Sequence, residues 1–341
     1  MNNIAGYEIK FSTEQEVIVP LESSTSMMGL RILSYKDSII YIDKSNSIYS
    51  YDYLKGALSK DTTLKAHDYA LKDHWPIGVL DNKLVLFGNS RLAFYDMLTR
   101  ELNTHNLVRE LSHPYSSNQA SFTTSSSFGF TNRTYRDYIP FVARDFAQET
   151  TLYLFDGERT LSLGLEVPSE LLNLIYKCNP NLFYPLIEPD HIKGGYTIAF
   201  YLSCRVFHFS ENHQLTEYKV VNPDCDCEIT QQNFVKATPH NFFPETLPLY
   251  GNVFSDPYRN LYYQFYKAPI VSGENQRESY LRILDGQFNL LASIELDWND
   301  YKGNLLILED GTYIQSSSPP YDLNENYIYF HKVELVEDNV D

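Results

Sequence analysis

Ile39-Ile40-Tyr41-Ile42, then Asp43-Lys44-Ser45-Asn46, then Ile48-Tyr49-Ser50-Tyr51 is the stretch whose reading decides the fold. A short run of β-branched and aromatic residues meets a polar link, and a second run of the same kind follows. Asp and Asn in the link hydrogen-bond their own backbone and tolerate the left-handed region, so a tight hairpin is expected. A further strand is expected at 57–64, after Gly56.

The same phrase recurs along the chain. Val79-Leu80, Asp81-Asn82, Leu84 to Phe87 and Leu92 to Asp96 make a second copy. A third lies at 138–163, a fourth at 196–221, a fifth at 260–296 and a sixth at 304–331. An apolar or aromatic run ends in a polar turn residue at Asp52, Asp96, Asp156, Ser210 and Asp285, and the sixth equivalent is placed near His331. The spacing between these anchors runs from 44 to 75 residues. A β-propeller blade of four antiparallel strands repeats about every 40–50 residues before loop insertions. Continuous apolar runs such as Leu84 to Phe87 and Leu305 to Leu308 fit sheets covered on both faces. The fold read here is an all-β propeller in one domain spanning 1–341, with six blades first and seven second. A two-sheet sandwich of this length would need about twice its usual number of strands.

Closure of such a ring needs its ends to meet. Tyr7 to Phe11 and Glu16 to Pro20 read as strands, while the last unit shows about three. An N-terminal strand is therefore expected to complete the last blade and remove open edges. Pro168-Ser169-Glu170, with Leu171, Leu174 and Ile175 at helical spacing, predicts a short helical insert near 168–178. The innermost strand of the third unit is expected around Ser121 to Phe130.

Composition narrows the function classes. Aromatic residues make up 15% of the 341, with Tyr at 28, which favours strands and surfaces with one wet edge. The formal charge of −17 argues against duplex nucleic acid and against adsorption to anionic lipid. No run approaches the ~18–20 apolar residues of a spanning helix. Met1 to Pro20 has Lys10 as its sole basic residue and no apolar segment, so no signal peptide is read. The compartment stays open: cytoplasmic, or periplasmic or lipid-anchored if the start is truncated. The disulfide state of Cys178, Cys204, Cys225 and Cys227 stays open with it.

The fifth unit carries Asp256-Pro257-Tyr258-Arg259-Asn260-Leu261-Tyr262-Tyr263-Gln264-Phe265, then Leu284-Asp285-Gly286-Gln287-Phe288-Asn289-Leu290-Leu291. This Tyr-Arg-Asn-x-Tyr-Tyr-x-Phe phrase, followed by Leu-Asp-x-x-Phe, resembles the DUF4221 family of Bacteroides-type bacteria. The resemblance implies a six-bladed β-propeller, often exported behind a lipoprotein leader. The family has no assigned activity, so the resemblance implies none here.

Candidate site residues come from single positions. Trp75, within His74-Trp75-Pro76, offers a stacking surface for a sugar or aromatic ligand, or packs between blades. Tyr258 and Arg259 are placed where an inner strand would begin. An Arg there binds a carboxylate or phosphate, or pairs with an acidic neighbour and pins adjacent blades. His240 joins His74 and His113 in loops expected at one face, where a metal would be the functional reading. Asp224-Cys225-Asp226-Cys227-Glu228 reads as a polar turn or, less simply, as ligands for Ca²⁺ or a soft metal. Nucleophile elbows, P-loops, His-Glu-x-x-His and Gly-x-Gly-x-x-Gly are absent from the sequence. The expected function is a non-enzymatic binding module for a protein, peptide or glycan, with no cofactor. The alternative is a propeller hydrolase or lactonase with Ca²⁺ or another divalent cation in the central channel.

Overall fold

A computed structural model describes residues 7–21, 31–35, 38–42, 47–63, 75–88, 91–106, 120–121, 139–144, 150–156, 158, 160–164, 185–212, 214–219, 247–270, 277–297, 301–316 and 327–337. The helical insert near 168–178, the Asp224 to Glu228 stretch, His74, His113 and His240 lie outside the described residues. So do Cys178, Cys225 and Cys227; Cys204 is buried and free.

The chain is an all-β propeller, and its described strands form six four-stranded antiparallel sheets. Sheet I holds β2 (Arg31–Tyr35), β3 (Ser38–Ile42), β4 (Ser47–Asp52) and β5 (Ala57–Thr63). Sheet II holds β6 (Trp75–Leu80), β7 (Lys83–Gly88), β8 (Arg91–Asp96) and β9 (Leu102–Asn106). Sheet III holds β10 (Ala120–Ser121), β11 (Ile139–Arg144), β12 (Thr150–Phe155) and β13 (Thr160–Gly164). Sheet IV holds β14 (Pro185–Pro189), β15 (Tyr196–Phe200), β16 (Ser203–Phe209) and β17 (Leu215–Lys219). Sheet V holds β18 (Leu249–Asp256), β19 (Leu261–Lys267), β20 (Ser279–Leu284) and β21 (Leu290–Glu295). Sheet VI holds β22 (Tyr301–Leu308), β23 (Gly311–Ser316), β24 (Tyr327–Glu337) and, beside β24, the chain's first strand β1 (Tyr7–Pro20).

The apolar phrases form strands for the reasons their composition dictates. Tyr41 and Tyr49 are directly opposed across β3 and β4, and their rings stack at 4.8 Å. Asp81 and Asn82 both take positive φ, 46° and 61°, so the β6–β7 link is a two-residue turn of the kind that matches strand twist. Middle strands are buried on both faces: β15, β20 and β23 are covered at every position. The outer strand β21 is mostly half-buried, with Ala292 alone fully covered, as befits the last strand of a sheet.

Core clusters fill the seams between sheets. Leu33, Ile40 and Ile48 of sheet I pack with Val79, Leu84 and Tyr95 of sheet II. Leu186, Ala199 and Val206 of sheet IV meet Val253, Tyr262 and Leu284 of sheet V. Phe254, Phe265 and Ile283 of sheet V meet Leu305, Ile314 and Val333 of sheet VI, with Ile9 of β1. Val19 of β1 and Leu306, Leu308 and Phe330 of sheet VI pack with Ile39, Tyr41 and Tyr49 of sheet I.

Two sequence expectations are corrected. The inner strand of sheet V is Leu249–Asp256, so Tyr258 and Arg259 stand in the turn after it rather than at its start. The register shifts between Tyr250 and Val253, and Gly251-Asn252 at that bulge break the apolar pattern that marks a strand. His331 lies within β24, opposite Glu16 of β1, and closes no turn; its Nε2 is 3.1 Å from the Glu16 carboxylate.

Candidate functional site

One turn device repeats around the molecule. Asp96 Oδ1 accepts the N–H groups of Leu98 and Thr99 at 2.8 and 2.9 Å. Asp52 accepts from Lys55 N, Asp156 from Glu158 N, and Asp285 from Gln287 N and Asn289 N. Ser210 does the same for Gln214 N. These anchors close the link between the third and fourth strand of sheets I to V; the backbone donors there have no ladder partner, and a short acceptor side chain supplies one. Donors toward the charged form draw the Asp96 carboxyl below the usual range, with its two backbone N–H partners the largest cause. Asp52 is lowered likewise, chiefly by its hydrogen bonds from Lys55.

A second set of aspartates closes the link between first and second strands, and these are buried. Asp256 is wholly buried and accepts from the backbone N–H groups of Tyr258 and Arg259, both at 3.1 Å. Its Oδ2 receives Arg259 Nε at 2.6 Å and the Thr312 hydroxyl at 2.7 Å. The same guanidinium reaches sheet VI, where Nη2 donates to Leu308 O at 2.8 Å and Nη1 to Glu309 O at 3.2 Å. Nη2 also donates to the Thr312 hydroxyl at 3.3 Å, so Arg259 is a clamp between sheets V and VI whose fork geometry lets one side chain serve four acceptors. Tyr258 stands outside this clamp, 56% exposed, with its ring centroid 5.8 Å from the Arg259 guanidinium carbon.

Asp190 makes the corresponding lock between sheets IV and V. It is wholly buried, accepts from Ile192 N and Lys193 N, and receives the Tyr262 hydroxyl at 3.0 Å from each carboxylate oxygen. His208 Nε2 lies 2.8 Å from Gly194 O and 3.5 Å from Asp190 Oδ2. Gly195 takes φ 92°, and a Cβ there would stand 2.1 Å from Phe209 O, so the turn that presents Asp190 requires glycine. Phe288, wholly buried at φ 60°, packs on Tyr262 with centroids 4.4 Å apart, and Lys193 Nζ lies 4.4 Å above its ring. An Asp, a His and a Tyr converge here, but the groups are sealed and hold backbone, which makes the cluster an architectural lock.

Space for a ligand lies elsewhere. A cleft of about 550 Å³ opens between sheets II and III. Asp81 and Lys83 come from the β6–β7 turn, Phe94 from β8, Asn103 to His105 from β9, and Asp156 and Glu158 from the end of β12 and its turn. Phe94 is half-buried and gives an apolar wall, whereas Asp81, Asp156 and Glu158 are exposed. Lys83 stands opposite Asp96 across β7 and β8, and its charge helps hold that carboxyl ionised. The described lining therefore presents three carboxylates and one ammonium. None of these residues was a sequence candidate for ligand binding. Asp156 was visible only as a turn anchor, and the cleft needs two sheets side by side.

Of the sequence candidates, only Tyr258 and Arg259 have described side chains, and they stand side by side in one turn. Trp75 opens β6, and the structure describes its backbone alone; His240 lies outside the described residues. Tyr258 and Arg259 are on sheet V, away from the cleft between sheets II and III. Among the described residues, no three His, Cys, Asp or Glu side chains stand together as a cation site, and no helix is long and apolar enough to cross a membrane.

With this geometry in hand, one comparison bears on the fold. A solved member of the DUF4221 family from Bacteroides vulgatus superposes with a TM-score of 0.62, covering 97% of this chain and 99% of that one at 12% identity. The chain resembles DUF4221 in fold. Weaker likenesses, each with a TM-score of 0.45 and 9% identity, join it to two others. They are an inactive virginiamycin B lyase from Staphylococcus aureus with quinupristin, covering 96% of this chain and 99% of that one, and the Cps50 (Swd1) propeller domain from Myceliophteria thermophila, covering 94% and 100%. No family model matches the sequence, and no curated protein matches it. At 12% identity the DUF4221 likeness speaks for the β-propeller alone.

Proposed function

We propose that the protein is a non-enzymatic binding module, its six sheets forming the six blades of a ring closed by β1, and that the cleft between sheets II and III is its ligand site. The observation that carries this is the lining of the cleft. Its volume of about 550 Å³ is in the range of ligand sites, and it joins one aromatic wall to several convergent polar groups. Two buried polar clusters elsewhere, at Asp190 and Asp256, are occupied in holding sheets together. A protein, peptide or glycan presents the hydroxyl, amide and cationic groups that such a lining satisfies.

The test is a binding titration of wild type and Phe94→Ala with oligopeptides of differing charge and with neutral oligosaccharides. Weakened binding of one class in the variant supports the site; equal binding of every probe by both proteins refutes it. Elemental analysis paired with melting curves, with and without EDTA, examines the other reading. A stoichiometric divalent metal whose removal lowers the melting temperature would favour a hydrolase or lactonase.

A further inference from the structure

The same face of the molecule carries the turns at Asp52, Asp81, Asp96, Asp156, Asp190, Asp256 and Asp285. Contacts link neighbouring turns from sheet to sheet: Arg259 reaches Leu308 O and Glu309 O, Lys193 of sheet IV lies over the Phe288 ring of sheet V, and Tyr53 and Leu58 pack against the cluster holding Leu308 and Tyr313. On this face the position two residues after the turn aspartate holds Leu54 in sheet I and Leu98 in sheet II, 69% and 78% exposed. The turn uses only the backbone of that residue, and the corresponding positions in sheets III and V are Glu158 and Gln287. A single exposed leucine is ordinary. Here two recur at one turn position of this face in adjoining sheets, and Leu98 is at the tip of the hairpin that walls the cleft.

We propose that this surface, Leu54 and Leu98 together with the adjoining cleft, docks a protein whose contact segment carries a basic side chain flanked by apolar ones; this rests on reading the cleft as a ligand site. Charge complementarity selects the occupant. Asp81, Asp156 and Glu158 line the cleft against Lys83 alone among the described residues, and the chain as a whole carries −17. A guanidinium entering the cleft meets carboxylates while its methylene stem lies along Phe94. The volume exceeds one arginine side chain, which leaves room for the segment that bears it. A neutral glycan donates hydroxyls to carboxylates but brings no charge to offset theirs, and an anionic lipid surface is repelled by them.

Fluorescence anisotropy tests this with two labelled dodecapeptides, one alternating Arg and Leu and one alternating Glu and Leu. The proteins are wild type, Asp156→Asn/Glu158→Gln, Leu54→Ser/Leu98→Ser and Glu295→Gln/Asp297→Asn. The last removes the same two charges from the far edge of sheet V and its end. Asparagine keeps the turn acceptor at 156, and matching melting curves establish that the variants fold.

The expected result is binding of the basic peptide alone. The cleft variant weakens it by about tenfold or more and the leucine variant by about threefold or more, while the charge-matched control stays within about twofold. Equal losses in the cleft variant and the control would reduce the effect to general charge and overturn the proposal. A loss confined to the cleft variant would overturn the docking surface and leave the cleft as a ligand site. So would peptide silence accompanied by Phe94-dependent binding of xylohexaose or laminarihexaose. Silence toward both peptides and both sugars would overturn this proposal and the binding-module reading together.

Discussion

Removing the Arg259 side chain tests how far a buried charge holds two sheets together. In Arg259→Ala the carboxylate of Asp256, with no exposed surface, loses a charged donor at 2.6 Å. It keeps the Thr312 hydroxyl and two backbone N–H groups. Leaving an ion buried without its partner costs about 3–5 kcal/mol when nothing replaces it. Here three donors remain and the arginine is 29% exposed, so water reaches part of the vacated space and the expectation falls to about 2–3 kcal/mol. The freed Glu309 carbonyl is exposed and adds little, whereas the Leu308 carbonyl is part-buried and adds to the loss. For a chain of this length, about 2.1 cal/mol/K of unfolding entropy per residue turns that loss into a fall of about 3–4 °C in melting temperature. Urea denaturation and calorimetry of wild type, Arg259→Ala, Asp256→Asn and the double variant measure it. The double variant is expected to be less destabilised than the two losses added, because asparagine leaves no charge to strand. A loss under about 0.5 kcal/mol in Arg259→Ala, or strict additivity, would refute the clamp.

Other expectations follow from single side chains. Phe288, wholly buried at φ 60°, loses about 3–5 kcal/mol on change to Ala, and Gly at that position is expected to be better than Ala by about 1 kcal/mol, reversing their usual order; chemical denaturation of both variants decides it. Burial, reinforced by the charge of Asp256, pushes the Tyr263 hydroxyl up to about 12. A folded pKa above the unfolded value of 10 means stability complete below pH 10 and lost as pH rises toward 12, about 2–3 kcal/mol in all. Tyr263→Phe should flatten that decline, and alkaline unfolding followed by circular dichroism tests it. Asp285 resists the burial that would raise its carboxyl, and hydrogen bonds from Asn289 and Gln287 bring it below the usual range. Its contribution is present above the unfolded pKa near 3.9 and lost as pH falls through the lower folded value, so Asp285→Asn should show a shallower loss of stability below about pH 4.

The primary structure alone determined the recurrence of strand and turn. Ile39 to Ile42, Leu84 to Phe87 and Leu305 to Leu308 are legible as strands because β-branched and aromatic residues fit a pleated surface covered on both sides. Asp52, Asp96, Asp156, Ser210 and Asp285 are legible as turn residues because an Asx or Ser side chain completes a turn with donors two to four positions away. Both signals are local. Tertiary structure decided what local patterns do not encode. The inner strand at Leu249–Asp256 carries Gly251 and Asn252 in a bulge, so its burial comes from neighbouring sheets rather than from alternation. Asp190 and Asp256 share a turn pattern with the exposed aspartates, yet partners 72 and 56 residues away, Tyr262 and Thr312, make them interior locks. The cleft unites Asp81, Phe94, His105 and Glu158 from separate turns and strands. Such a site arises when two sheets stand side by side, and the spacing that creates it is set by packing across a seam rather than by any run of residues.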